Sequence, residues 1–199
     1  MKILIVGGGI TAVYLANNLL LKDNSLEISI LSNEQFPPYD RIHLCSLVDN
    51  SLFLDKITLE LNSKANLILN QEIININPQE KLIFSKDNSY TYDKLIIATG
   101  SKPKSTFDIT NLKNATTFRS ATDAYKIRDN ITNKNVILVG VGPISLELLD
   151  TLSHIDEILT IYLIARGEHL YSKDLDIGAI KLIDTIFTQN KKIKISYND

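Results

Sequence analysis

Two clusters of small residues carry most of the chemistry that can be read from this chain. One is Gly7-x-Gly9-x-x-Ala12, directly after the apolar run Ile3-Leu-Ile-Val6. The other is Gly140-x-Gly142-x-x-Ser145, directly after Val136-Ile-Leu-Val139. In such a turn the first glycine permits a tight exit from a strand. The second lets a pyrophosphate approach the backbone, and the third small residue lets the next helix pack close to the sheet. That helix aims its free N–H groups and positive dipole end at the phosphates. A single turn of this kind is also what a plain strand–helix junction looks like. Two in one short chain, each between an apolar strand and an apolar helix, point to two dinucleotide sites and to electrons passing between them.

The residues after the second strand of each unit distinguish one nucleotide from another. After the first glycine unit comes Glu27-Ile-Ser-Ile-Leu31, then Ser32, Asn33 and Glu34. An acidic side chain at this edge bonds the ribose hydroxyls of an adenosine, so Glu34 is the candidate, with Asn33 as its neutral neighbour. In the second unit the corresponding strand ends at Ala165-Arg166. An arginine there suits a 2′-phosphate and favours NADPH; the other reading is a solvated loop residue beside a decayed site. Cys45 is the only cysteine, which rules out an internal disulfide or a C-x-x-C pair. It falls at the start of an expected short helix, where a thiol pKa is lowered; the competing reading is a buried, inert thiol.

These residues sit in a chain of 199 residues, 44% hydrophobic and 22% charged, with a net charge of −2. The composition is globular, and the absence of a basic block argues against nucleic acid or an anionic membrane as partner. No apolar run approaches a membrane span and the start lacks a signal-peptide layout, so a cytoplasmic location is expected.

The elements expected to position the two sites alternate between strand and helix. Helices are predicted over 10–21, 44–48, 57–64, 122–130 and 175–189. Short strand-like runs are predicted at 67–69, 72–76 and 81–84, followed by one long run over 90–99, which Gly100 and Pro103 break. Antiparallel hairpins inserted into a parallel sheet explain this order. Residues 101–117 read as a linker. The fold class is α/β, with two Rossmann-like three-layer units, the first carrying an antiparallel β insertion and the second incomplete. The expected division is a first domain over 1–115 and a second over 116–199.

Several segments together resemble the pyridine-nucleotide flavoprotein oxidoreductase family. They are Gly7-x-Gly9-x-x-Ala12, Pro38-Tyr-Asp-Arg-Ile-His-Leu44, Tyr92-Asp-Lys-Leu-Ile-Ile-Ala-Thr-Gly-Ser101, Phe118-Arg-Ser120 and Gly140-x-Gly142-x-x-Ser145-x-Glu147. Within the family, the Tyr-Asp-Arg-x-His-Leu run is similar to nitrite reductase large subunits. The resemblance implies FAD in the first domain and NAD(P)H in the second. It implies that Gly7, Gly9 and Ala12 hold the FAD pyrophosphate, with Asn33 and Glu34 at the adenosine ribose and Ile73 at adenine. Arg41 would face the flavin or the pyrophosphate. Ala98, Thr99 and Gly100 would line the strand returning beside the cofactor, and Arg119 would reach FAD from the hinge. Gly140, Gly142 and Ser145 would hold the NAD(P)H pyrophosphate, with Glu147 near the nicotinamide.

The implied activity is hydride transfer from NAD(P)H to FAD, with electrons passing on to an iron–sulfur or haem protein or domain. A homo-oligomer is compatible with this scheme. No acid–base triad is implied and no metal site is expected. The alternatives are a non-catalytic nucleotide-binding fragment of a larger assembly and a thiol-dependent NADH oxidase using Cys45. Ser145 and the missing ribose carboxylate depart from the family pattern. Family members also continue past the length of this chain, so it reads as an N-terminal fragment with reduced FAD affinity and turnover expected in isolation.

Overall fold

The computed structural model describes residues 1–105, 108–170 and 175–197; of the expected linker, Thr106 and Phe107 lie outside the described residues. The chain forms two compact units. One joins Met1–Arg41 to Leu54–Lys104, and the other joins Ile42–Phe53 to Ser105–Asp199.

The first unit is built on β1 (Lys2–Val6), β2 (Glu27–Leu31), β3 (Asn66–Ile68) and β7 (Lys94–Ile97), all parallel and ordered β3-β2-β1-β7. Ile3, Leu4, Ile5 and Val6 of β1 are all buried. An uninterrupted apolar run is what a strand needs when both faces of its sheet are covered. On one face α1 (Ile10–Lys22) packs Ala12, Ala16 and Leu20 against Ile3, Ile5, Ile28 and Ile30. On the other, Leu4, Val6 and Leu31 meet Ile83 and Tyr92. Ile83 belongs to an antiparallel sheet of β4 (Ile73–Asn77), β5 (Leu82–Ser85) and β6 (Ser89–Thr91). The unit therefore has helix, parallel sheet and antiparallel sheet as its three layers. Each fully buried isoleucine or leucine contributes on the order of 1.5–3 kcal/mol.

Two expected elements come out differently. The run over 90–99 divides into β6 and β7, because Asp93 turns the chain from one sheet to the other. Its N–H donates to the Lys2 carbonyl at 2.9 Å, and its Oδ2 accepts the Lys2 N–H at 2.7 Å. The helix predicted over 57–64 does not form: a single turn, α3 (Leu54–Ile57), ends where it was expected to begin. Beyond it the backbone is taken by Asn17, whose Nδ2 donates to Glu60 O at 2.9 Å and whose Oδ1 accepts from Asn62 N at 2.8 Å. A side chain on α1 thus satisfies the groups that a helix would have paired internally.

The second unit repeats the plan in reduced form. β8 (Asn135–Val139), β9 (Thr160–Ala165) and β10 (Ile193–Tyr197) form a parallel sheet ordered β10-β9-β8. Helix α5 (Pro143–Ser153) buries Leu148, Leu149 and Leu152, and central β9 buries Ile161, Leu163 and Ala165. Helix α4 (Ala121–Arg128) is closed by a capping box between Ser120 and Asp123, and α6 (Ile177–Thr188) by the side chain of Asp176. The short α2 (Leu44–Val48) packs on α4 and α5. Among the described residues no helix is long and apolar enough to cross a membrane.

Gly7 is the tightest point of the first unit. It holds φ +119°, and a Cβ placed there would lie 2.2 Å from Ala98 O and 2.5 Å from Ala98 C. Both are backbone atoms that cannot yield without moving β7. Gly7→Ala is therefore expected to cost about 2–4 kcal/mol of stability, read from the urea midpoint. Gly9→Ala, where a Cβ would meet nothing within 4 Å, should stay within about 1 kcal/mol of the parent.

Candidate functional site

The first crevice lies where β1 ends. The Gly7 N–H donates to Leu31 O at 2.8 Å, and Ala98 N–H donates to Val6 O at 2.7 Å. These bonds hold the ends of β2 and β7 on either side of the glycine turn. Gly8 is closed in by Ser32, since a Cβ on Gly8 would sit 2.4 Å from Ser32 Oγ. Gly9 is the open member. It caps α1 with no side-chain hydrogen bond, and no acidic residue occupies the first turn. Ala12 is fully buried beneath it. A positive helix end with an unobstructed approach and no carboxylate of its own fits a pyrophosphate.

Asn33 and Glu34 follow at the end of β2. Ser32 Oγ accepts the Glu34 N–H at 3.2 Å, which ties Glu34 to the residue packed on Gly8. The Glu34 carboxylate is paired with Arg41 and accepts the Tyr39 hydroxyl at 2.6 Å. Arg41 Nη1 donates to the same hydroxyl at 3.1 Å, and its guanidinium lies over the Tyr39 ring at 5.0 Å from the centroid. The structure thus brings Glu34 and Arg41 together. Asn33 lines a cleft of ≈ 260 Å³ with Asn70, Gln71, Glu72, Ser85, Lys86 and Asp87. Ile73, half-buried against the Leu4–Ile83 core, follows Glu72 directly. Thr99 and Gly100 are exposed beyond Ala98, and Gly100 turns the chain at φ +69°.

The second crevice repeats the first turn. Gly140 holds φ +104°, and its N–H donates to Ile164 O at 3.0 Å. Gly142 caps α5 without a side-chain bond, Pro143 opens the helix, and a Cβ on Gly142 would meet nothing within 4 Å. Ser145 fits the third position, its Oγ lying at an ordinary contact distance of 3.7 Å from a Cβ built on Gly140. A cleft of ≈ 370 Å³ is lined here by Gly140, Val141, Arg166, Gly167 and His169. Arg166 is therefore beside the glycine turn. Arg119 and Glu147 belong to the same unit but are not among the residues lining this cleft. The Arg119 N–H donates to Asp123 Oδ2 at 3.0 Å at the entry to α4.

His169 had given no sign in the sequence. Its Nδ1 lies 3.1 Å from Asp184 Oδ2, and Asp184 Oδ1 accepts the Leu170 N–H and the Tyr197 hydroxyl, each at 3.2 Å. Burial first, and the Asp184 carboxylate second, push the Tyr197 hydroxyl above the usual phenol range. The one available signal was a histidine three residues past Arg166. Its partner Asp184 stands fifteen residues further on, on another element.

Of the two readings of Cys45, the structure bears out the buried, inert thiol. Cys45 lies in the first turn of α2, but the helix start does not acidify it. The residue is 6% exposed. Burial, and then the charge of Glu147 on α5, push it from an ordinary 9.0 up to about 12. A five-residue helix offers a weak dipole, and desolvation outweighs it.

The same plan recurs in known proteins. The assimilatory nitrate reductase electron transfer subunit of Bacillus subtilis is 28% identical over 199 residues, covering 94% of this chain and 25% of that protein. The rubredoxin-NAD(+) reductase of Pseudomonas putida is 30% identical over 157 residues, covering 74% of this chain and 41% of its own. The crystal structure of NADH:rubredoxin oxidoreductase from Clostridium acetobutylicum superimposes with a TM-score of 0.81 at 25% identity, over 100% of this chain and 53% of that one. This chain thus spans a quarter to about half of the relatives it matches. The family profile described as pyridine nucleotide-disulphide oxidoreductase matches residues 1–199. With both glycine turns, their strand order and this match in agreement, the chain belongs to the pyridine nucleotide-disulphide oxidoreductases, whose cofactors are FAD and NAD(P)H.

Proposed function

We propose that the chain is the dinucleotide-binding portion of an FAD-dependent NAD(P)H oxidoreductase that serves a protein redox acceptor. One observation carries the reading: both glycine turns leave a helix start uncapped by side chains and open at Gly9 and Gly142, whereas α4 and α6 cap themselves. When bound, NAD(P)H supplies the hydride and FAD the ring that accepts it. The residues themselves bind and orient. Gly7, Gly9 and Ala12 seat the FAD pyrophosphate, Glu34 takes the ribose, and Asn33 and Ile73 flank the adenosine. Ala98, Thr99 and Gly100 line the wall opposite β2. Gly140, Gly142 and Ser145 seat the second pyrophosphate. Names among the relatives, rubredoxin reductase and nitrate reductase electron transfer subunit, support a small iron–sulfur protein or a linked redox domain as acceptor.

NADPH is the donor this cleft favours. Its described lining carries Arg166 and His169 and no carboxylate to accept a free 2′-hydroxyl. Absorbance spectra of the purified chain, with FAD added and then each nicotinamide, test the reading. A bound flavin spectrum bleached by NADPH supports it; a chain that takes up no FAD favours a non-catalytic nucleotide module. Arg166→Ala should weaken NADPH about tenfold while leaving NADH within about twofold, as expected for loss of a charge-assisted bond.

Cys45 should stand outside this chemistry. Cys45→Ser is expected to keep FAD uptake and bleaching unchanged; abolition of both would restore the thiol-dependent reading. The folded chain holds the thiol proton up to about 12, whereas the unfolded chain releases it near 9.0. The thiol's contribution to stability is therefore present below pH 9 and lost as pH rises toward 12. A thiol reagent at pH 8 should label Cys45 only after denaturation.

A further inference from the structure

We propose that Tyr39 and Arg41 hold Glu34 as a preset, charge-neutralised acceptor for the adenosine ribose diol, which makes Tyr39 a positioning residue for the first dinucleotide. This rests on the reading of Glu34 as the ribose ligand. Tyr39 is 3% exposed, so its hydroxyl is fixed, and it donates to Glu34 Oε2 at 2.6 Å. Arg41 pairs with the other oxygen, Oε1. Each carboxylate oxygen thus has one donor from the chain and keeps one lone pair. Two oxygens with both torsions locked match two vicinal hydroxyls, one apiece.

The charge balance points the same way. A bare carboxylate beside a pyrophosphate would repel it. With Arg41 against it, the Glu34 carboxylate contributes acceptor geometry at little net charge. Arg41 in turn is kept in place by the Tyr39 hydroxyl at 3.1 Å and by the ring beneath it. The side chains of Arg41 and Glu34 remain 27% and 18% exposed, so the group is reachable from solvent. A site built this way prefers an adenosine with both hydroxyls free and loses affinity when one is deleted.

The test compares two probes on the full chain, FAD and FAD carrying 2′-deoxyadenosine, by quenching of flavin fluorescence. The parent should prefer FAD by about tenfold, the worth of one hydrogen bond to a charged group. Tyr39→Phe keeps the packing and removes only the hydroxyl. It should weaken FAD about five- to tenfold and bring the ratio of the two affinities close to one. Arg41→Met, at a part-exposed position where folding is not at stake, should lower the same ratio. A purely packing role for Tyr39 leaves the ratio untouched. If Glu34→Gln abolishes the ratio while both other variants keep it, the positioning role is wrong and the ribose reading stands. If the parent itself fails to discriminate, the ribose reading is overturned and the positioning role with it.

Discussion

The meeting of three backbone segments at the end of β1 is the constraint on which the first unit depends. Gly7 lies under the Ala98–Thr99 peptide, Gly8 lies against Ser32, and the N–H of Gly7 reaches Leu31 O. Nothing larger than hydrogen fits at the first two positions. Because β2 and β7 are drawn in so closely, their following residues, Asn33 and Glu34 on one side and Thr99 and Gly100 on the other, flank the start of α1. Of the three glycines in this turn, the open one is then Gly9, where a helix begins with donors directed outward. Tightness at two positions creates access at the third.

Capping separates α1 and α5, whose starts carry no side-chain bond, from α4 and α6. Asp123 collects the N–H groups of Arg119 and Ser120 together with the hydroxyls of Thr116 and Ser120, and so closes α4. Asp176 closes α6 through Gly178 and Ala179. Placing the same carboxylate at Gly9 or Gly142 would satisfy the helix and repel an anion. Where a carboxylate does follow β2, at Glu34, a guanidinium and a buried hydroxyl accompany it.

Much of this was legible in the chain. The apolar runs at β1 and β8 and the glycine spacings located both crevices, because a strand covered on both faces must be apolar throughout and a phosphate turn must be small. Arg166 was placed at the second turn by its offset from the strand alone. Long-range partners were not legible. The Asn17 side chain that binds the backbone at Glu60 and Asn62, where a helix was expected, acts from more than forty residues away. Asp93, which divides one predicted strand between two sheets, acts on Lys2. The choice between an acidic and a buried, inert thiol at Cys45 depended on distant partners in the same way. Glu147 and the packing of α2 on α5 lie a hundred residues downstream, and burial overrode the local helix argument.

What the order of residues determined by itself is the local grammar: where strands end in glycine, where helices begin, and which residue types follow the second strand of each unit. These follow from periodicity and from the conformations that single residues allow. Tertiary structure alone decided which side chains meet. It seated Arg41 on Glu34 and oriented His169 with Asp184 beside Arg166. It also buried Cys45. The reason is that charge, desolvation and hydrogen bonding act through space, and their sign at any residue is unknown until the residues distant in sequence have been folded against it.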